Sequence, residues 1–175
     1  MKYFNGFCLC EEKDLFKEFL EEKEFVVSGF SYGAQKALDY VLSSKKRVDK
    51  LQLISPAFFD YNQKIIDLNL KAFKKDKNLY IKNFLKKAGI DKWKMENGEW
   101  IIDDNLRLGN CNEVDLYKLF SFDWEKIEKI KDIKIEVFLG EYDKIIALKK
   151  AYDFFKDYAD IYLIKKANHF LRELD

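Results

Sequence analysis

The strongest constraint in the sequence is a short apolar segment that leads directly into a G-x-S-x-G pentapeptide. The apolar segment covers residues 25–27, and the pentapeptide is Gly29-Phe30-Ser31-Tyr32-Gly33. Beyond it, apolar residues recur at spacings of three and four, namely Ala34, Ala37, Leu38, Val41 and Leu42. This order predicts a buried strand, a tight turn at Ser31 and an amphipathic helix. The two glycines have no Cβ, so they allow the strand and the helix to approach closely.

Four further segments have the character of strands, because they are rich in β-branched and aromatic residues. Together with the segment before Ser31, the predicted strands cover residues 2–6, 24–28, 50–54, 134–139 and 160–164. Amphipathic helices are predicted after Gly33 and again over 146–158. Strands that alternate with helices favour an α/β fold with a mostly parallel sheet of about five strands.

The long interval 57–131 does not fit a simple crossover connection between strands. Helical periodicity is found over 65–73, 79–88 and 114–120, and turns are predicted at Asn97, Gly98 and Gly109. We interpret the interval as a helical lid inserted over one end of the sheet. The chain is therefore predicted to form a single domain, residues 1–175, with the lid as an insertion.

Composition narrows the functional classes. The formal net charge is only +1, so neither nucleic acid nor an acidic membrane is expected as a partner. No apolar run is long enough to span a bilayer, and no signal peptide is apparent. Three cysteines without a C-x-x-C pair and a single histidine do not make a convincing zinc site. We therefore expect no metal, reduced cysteines and a cytoplasmic location.

Charge is distributed unevenly along the chain. Residues 11–24 contain seven acids and three lysines, whereas residues 58–97 contain ten lysines and five acids. The first interpretation of both runs is a solvated helix face. The basic run is also suited to docking an acidic partner.

Ser31 is the candidate nucleophile, and a serine hydroxyl needs a base that takes its proton. His169 is the sole histidine of the chain, and it follows the last predicted strand. Active-site groups of open α/β sheets gather at the carboxyl ends of the strands, which favours His169 as the base. An acid must orient the imidazole, and Asp143 follows the strand 134–139, between Ser31 and His169 in chain order.

Alternatives to these assignments remain open at this point. Glu141 lies close to Asp143 in sequence, and Asp115 or Asp123 from the lid are further candidate acids. Asp143 is also suited to cap the helix that follows it. A lone histidine is more often structural than catalytic, so the assignment of His169 depends on its position after the last strand.

Hydrolysis through a serine also requires N–H groups that hold the oxyanion of the tetrahedral intermediate. One is expected from Tyr32, the residue after the candidate nucleophile. The other normally comes from a loop after an early strand, for which the segment 5–8 is the candidate. Phe7 follows the glycine there and is the first choice, with Cys8 as the second. An ordinary turn is the alternative.

These motifs, in this order, resemble the α/β-hydrolase superfamily over nearly the whole chain. The resemblance rests on Gly6-Phe7, Gly29-Phe30-Ser31-Tyr32-Gly33, Gly140-Glu141-Tyr142-Asp143 and Asn168-His169. Within it, the short, lysine-rich and phenylalanine-rich chain looks like the compact, BioV-like pimeloyl-acyl-carrier-protein methyl ester esterases. Two features depart from the superfamily. Gly6 and Ser31 are 25 residues apart, where roughly sixty are usual, and Asn5 replaces the usual histidine before Gly6.

The resemblance implies hydrolysis of the terminal methyl ester of a pimeloyl chain on acyl carrier protein, in biotin biosynthesis, without a cofactor. Because acyl carrier proteins are strongly acidic, the lysine-rich lid is expected to dock one. The candidate docking residues are Lys64, Lys71, Lys74, Lys75, Lys82, Lys86 and Lys87. Another carboxylesterase or acyl thioesterase with the same three residues is the first alternative. A non-catalytic carrier-protein-binding module is the second.

Overall fold

The computed structural model describes residues 1–90, 93–96, 99–102 and 106–173, and its centre is a five-stranded sheet. The strands are β1 (Lys2–Phe4), β2 (Leu9–Cys10), β3 (Val26–Phe30), β4 (Lys50–Ile54), β5 (Trp93–Glu96), β6 (Glu99–Ile102), β7 (Leu106–Leu108), β8 (Lys134–Gly140) and β9 (Asp160–Ile164). The helices are α1 (Tyr32–Ser43), α2 (Gln63–Lys75), α3 (Lys77–Ala88), α4 (Glu113–Ser121) and α5 (Leu148–Phe155). The central sheet has the order β1-β3-β4-β8-β9, and all neighbouring pairs in it are parallel. The predicted α/β class is confirmed.

The middle of this sheet forms the core. All five residues of β3 are buried, as are the last four of β4. Helix α1 contacts β1, β3 and β4 and buries Ala34, Ala37 and Leu38, which belong to its predicted apolar stripe. Helix α5 contacts β8 and buries Ala151 and Phe155. The spacing of three and four therefore predicted both helices and their buried faces.

Three helices of the interval 57–131 occupy the segments predicted as helical. Each begins at a polar side chain that accepts an N–H of the first turn: Asn62 for α2, Asp76 for α3 and Asn112 for α4. Helix α2 contacts both α3 and α4, so the three helices pack as one group. Across the part of the chain that the structure describes, no helix is both long enough and apolar enough to cross a membrane.

Three short strands that were not predicted from the sequence lie between α3 and α4. Strands β5, β6 and β7 join β2 in an antiparallel sheet with the order β2-β7-β6-β5. Each of the three has only three or four residues, which is too short for a clear period of two in the sequence. The predicted turn at Asn97 and Gly98 lies outside the described residues.

Cys8 and Cys111 form a disulfide, so the expectation that the cysteines are reduced is wrong for this pair. The two residues are 103 positions apart in sequence, and their Cα atoms are 5.0 Å apart. The antiparallel pairing of β2 with β7 brings them together, because Cys8 directly precedes β2 and Cys111 follows shortly after β7. Such a long-range pairing leaves no local signal in the sequence. Cys10 is not part of the disulfide.

Reduction of the Cys8–Cys111 disulfide is expected to destabilise the protein. Cross-linking residues so distant in sequence restricts the unfolded chain, and loss of such a bond typically costs about 2–4 kcal/mol of unfolding free energy. Urea unfolding with and without a thiol reductant measures the change. The Cys8→Ser variant should be insensitive to the reductant, whereas Cys10→Ser should respond as the wild type does. Equal stability of the wild type in both conditions would contradict this role of the disulfide.

Candidate active site

Ser31 lies at a strained turn between the end of β3 and the start of α1. Its backbone angles, φ 53° and ψ −113°, are unfavourable for a residue with a Cβ. The neighbouring strand holds the turn, since the Ser31 N–H donates to the Ile54 carbonyl at 2.9 Å. A Cβ at Gly29 would overlap the backbone of Gly33, and one at Gly33 would overlap the Phe4 carbonyl. Only glycine fits at these two positions, as the pentapeptide predicts.

A continuous hydrogen-bond chain joins Ser31, His169 and Asp143. The Ser31 Oγ lies 3.0 Å from His169 Nε2, and His169 Nδ1 lies 2.6 Å from Asp143 Oδ2. An ionised carboxylate only accepts hydrogen bonds, so Nδ1–H donates to Asp143 and Nε2 accepts from the Ser31 hydroxyl. All three residues are buried. The structure therefore brings together the three residues that were predicted from the sequence.

The Asp143 carboxylate divides its two oxygens between different partners. Oδ2 faces His169, while Oδ1 accepts from the N–H groups of Ile145 at 2.8 Å and Ile146 at 3.4 Å. The backbone bonds hold the carboxylate in one orientation. The alternative role of Asp143 as the cap of the following helix is not found. Helix α5 begins after Ala147, which makes no side-chain capping bond, and the Asp143 bonds to Ile145 and Ile146 lie in the turn before that helix.

The other acids that the sequence left open have different partners. Glu141 is exposed and accepts from a backbone N–H of a nearby loop. Asp123 accepts from a backbone N–H within its own turn, and Asp115 accepts from the Tyr32 hydroxyl at 3.3 Å. Within the described ranges none of the three bonds to His169, so Asp143 is the one of the four candidate acids that contacts it.

The order of the strands explains why the three residues meet. Ser31 follows β3, Asp143 follows β8, and His169 lies in the loop beyond β9, all at carboxyl ends of parallel strands. Because β8 and β9 are neighbours, their two loops are in direct contact. The Tyr142 N–H donates to the Ala167 carbonyl at 2.8 Å, which fixes the loop of the acid to the loop of the base.

The loop after β1 carries the predicted oxyanion donor Phe7. The Leu9 N–H donates to the Gly6 carbonyl at 3.3 Å, and a planar trans peptide then directs the Phe7 N–H away from that bond. Neither the Phe7 nor the Tyr32 N–H donates to another group among the residues described. Both residues line a cavity of about 280 Å³. Cys8, the second choice, also lines it and is held by the disulfide. The oxyanion role of these N–H groups stays a prediction.

Glu12 is a fully buried carboxyl that was not predicted from the sequence as a site residue. Its Oε1 accepts from the Gly6 N–H at 2.7 Å and from the Tyr3 hydroxyl at 3.4 Å. Burial raises the pKa of Glu12, and burial together with the Glu12 charge raises the pKa of Tyr3. The interpretation of residues 11–24 as a solvated face is wrong at this position, because an acidic run does not indicate which carboxyl turns inward.

An aromatic cavity of about 560 Å³ lies among α2, α3 and α4. Its wall includes Phe59, Tyr61, Tyr80, Phe84, Phe120 and Ile145. The N–H of Ile145 holds the Asp143 carboxylate, so the cavity reaches the loop that carries the acid. A volume and lining of this kind are typical of sites for small apolar ligands.

The predicted docking lysines are all exposed. Helix α2 carries Lys64, Lys71, Lys74 and Lys75, and helix α3 carries Lys82, Lys86 and Lys87. Lys74 pairs with Glu113 at 2.8 Å, whereas Lys75 and Lys87 line the aromatic cavity. Positive charge therefore lies at the edge of an apolar space.

Solved structures of low sequence identity share this fold. MenH from S. aureus aligns with a TM-score of 0.58 and 13% identity over 95% of this chain and 85% of its own. An esterase from Exiguobacterium antarcticum aligns with a TM-score of 0.56 and 16% identity over 87% of this chain, which spans only 61% of that esterase. E-2-(acetamidomethylene)succinate hydrolase aligns with a TM-score of 0.58 and 11% identity, over 99% of this chain and 85% of its own. No protein-family model and no curated protein matches the sequence. The chain has the α/β-hydrolase fold.

A fluorophosphonate should label Ser31 covalently, because such reagents trap a serine hydroxyl that a neighbouring base activates. Ser31→Ala should not be labelled. His169→Ala and Asp143→Asn should both slow labelling strongly, His169→Ala the more, because losses of kcat in other triads are about 10⁶-fold for the base and about 10⁴-fold for the acid. Intact-mass spectrometry measures the labelling, and circular dichroism checks that each variant is folded. Absence of labelling in folded wild-type protein would contradict the assignment.

Glu12→Ala is expected to slow labelling of Ser31 by about 10–100-fold, because the loop that carries the Phe7 N–H loses the acceptor that fixes it. Glu12→Gln keeps an acceptor oxygen and should react almost as the wild type does. Labelling rates of the two variants, measured side by side, separate a positioning role from simple packing. Equal rates in Glu12→Ala and the wild type would contradict that role.

Glu12 also predicts a pH dependence of stability. Since burial raises the pKa of Glu12, the folded state binds this proton more tightly than the unfolded state does. The free energy of unfolding should therefore fall as pH rises from the ordinary glutamate pKa towards the raised value. In Glu12→Gln this part of the pH dependence should disappear, which urea unfolding across that range measures.

Proposed function

We propose that the protein is a serine esterase with Ser31 as nucleophile, His169 as general base and Asp143 as the orienting acid. The observation that carries this proposal is the buried hydrogen-bond chain through the three side chains, at 3.0 and 2.6 Å. The strained turn at Ser31 supports it, because such a turn exposes a nucleophile at the edge of an α/β-hydrolase sheet. The names of the solved structures with this fold include esterases and hydrolases.

The proposed reaction follows from the orientation of His169. Nε2 takes the Ser31 proton as Oγ attacks the ester carbonyl, and the imidazolium that forms is stabilised by Asp143. The Phe7 and Tyr32 N–H groups hold the oxyanion. The imidazolium then returns its proton to the leaving alcohol, and an acyl-serine remains. Water, deprotonated by the same nitrogen, attacks the acyl group and releases the carboxylic acid and Ser31.

The finer proposal is that the substrate is the methyl ester of a pimeloyl chain on acyl carrier protein. The aromatic cavity of about 560 Å³ supports it, since an alkyl chain fits an apolar space beside the loop of the acid. The exposed lysines of α2 and α3 support it as well, because positive charge steers an acidic carrier. We propose that the interval 57–131 acts as the lid over this space, and that the phosphopantetheine thioester lies away from Ser31.

Purified protein should hydrolyse methyl pimeloyl-carrier protein with a kcat/KM at least about tenfold above that for nitrophenyl butyrate or an acyl-CoA, if carrier docking contributes about 1.4 kcal/mol or more. Release of methanol measures turnover of the methyl ester, release of nitrophenol or coenzyme A measures turnover of the other two substrates, and Ser31→Ala is the matched control. The gene should also restore growth without biotin to a strain that lacks its pimeloyl methyl ester esterase.

Other results of the same assay identify the alternatives. Faster turnover of the simple ester or the thioester would reject the carrier-bound substrate and favour another carboxylesterase or acyl thioesterase. Carrier binding without any turnover or fluorophosphonate labelling would indicate a non-catalytic module. The intact hydrogen bonds of Ser31 and Asp143 to His169 favour the enzyme over the module.

A further inference from the structure

A third cavity, of about 470 Å³, lies between the end of α3 and the loops that carry the candidate acid and base. Its wall is formed by Asn83, Lys86, Lys87, Gly89, Tyr142, Lys144 and Asn168. Tyr142 and Lys144 flank Asp143, and Asn168 directly precedes His169. The cavity is therefore lined by chain neighbours of Asp143 and His169 without including either residue.

Asn168 directs hydrogen-bond donors into this cavity. Its side chain is buried, with only 5% of the residue exposed, and its Oδ1 accepts from the N–H groups of Phe170 at 2.8 Å and Arg172 at 3.3 Å. These two bonds fix the orientation of the amide, since only its oxygen can accept them. The Nδ2 lies against Gly89, where a Cβ would overlap it. No acceptor for Nδ2 is found among the residues that the structure describes.

Positive charge surrounds those donors. Lys86, Lys87 and Lys144 line the cavity, and no carboxylate is among the lining residues. None of the three ammonium groups forms an ion pair with a residue in the described part of the chain. Lys86 and Lys87 lie in the last turn of α3, where cations favourably face the helix dipole. The helix dipole of α3 does not explain the presence of Lys144 or the Asn168 amide, because these two residues lie in the loops on the other side of the cavity.

We propose that this cavity binds an anionic oxygen group of the ester substrate, a phosphate or a carboxylate, through the Asn168 amide and the three lysines. The inference rests on the proposed esterase function, because it assigns the anion to the substrate of Ser31. Asn83 and Lys87 also line the aromatic cavity, so the two spaces are adjacent. The ligand that fits both has an apolar chain and an anionic group.

Binding is tested in the Ser31→Ala protein, which does not turn the ligand over. Inorganic phosphate and acetate are titrated at constant ionic strength, with chloride as the reference anion, and the backbone amide resonance of Gly89, which lines the cavity in every variant, is followed by NMR. A saturable shift with phosphate or acetate, larger than with chloride, is expected. Asn168→Asp keeps the oxygen that accepts from Phe170 and Arg172 but removes the donors, so it should abolish the preference for these anions.

Two lysine variants supply a matched pair. Lys144→Gln should weaken anion binding by about threefold or more, as expected for loss of one partly solvated charge contact. Lys82→Gln, on the same helix as Lys86 but outside both cavities, should leave binding unchanged. Shifts no larger than those with chloride, or equal losses in Lys144→Gln and Lys82→Gln, would overturn the proposal.

Two further probes identify the source of the anion. Phosphopantetheine carries the phosphate of the carrier arm, and monomethyl pimelate carries a carboxylate at the far end of the ester chain. If either probe binds more tightly than inorganic phosphate or acetate, and Lys144→Gln weakens that binding, the result supports the site and identifies its ligand. If Lys144→Gln leaves the binding of both probes unchanged, the proposal is overturned. Because no turnover is measured, failure here leaves the esterase proposal standing. Failure of Ser31 labelling would leave the measured anion binding intact but would remove its assignment to an ester substrate.

Discussion

The close approach between Gly33 and the Phe4 carbonyl is the contact on which the rest of the site depends. Any side chain at position 33 would push α1 away from β1, and the Ser31 turn joins α1 to the sheet. The same displacement would shift the loop after β1, which carries Phe7. One backbone contact therefore sets the distance between the nucleophile turn and the candidate oxyanion loop.

Additional interactions fix this arrangement to the interval 57–131. The Cys8–Cys111 disulfide ties the loop after β1 to the residue just before the cap of α4. Gln35, buried in α1, donates to the carbonyls of Ala57 and Leu119 at 2.9 Å each. The helix that begins after Ser31 is therefore bonded both to the start of the interval and to α4. Packing of α4 and the geometry of the turn are coupled through these few contacts.

The sequence predicts most strongly what is encoded locally. Ser31 was recognisable because its glycines, its strand and its helix are contiguous, and His169 because the chain has no other histidine. Asp143 was recognisable only from its place in chain order. Glu12 and the Cys8–Cys111 bond were missed, since both depend on partners brought together by tertiary structure. A buried carboxyl in an acidic run and a disulfide 103 residues apart have the same sequence character as their solvated or reduced counterparts.

The aromatic cavity and the basic cavity, which Lys86, Lys87, Lys144 and Asn168 line, together restrict the ligands that fit the proposed site. A small neutral ester would occupy the aromatic space and leave Lys144 and the Asn168 amide unused. A simple anion would leave the aromatic walls exposed to water. An acyl ester with a distant anionic group would fill the aromatic cavity with its chain and the basic cavity with its charge. Lys87 lines both cavities and could contact such a ligand in either one. Because binding energy from remote parts of a substrate can be used to orient the reacting ester at Ser31, the basic cavity would then affect selectivity among esters as well as affinity.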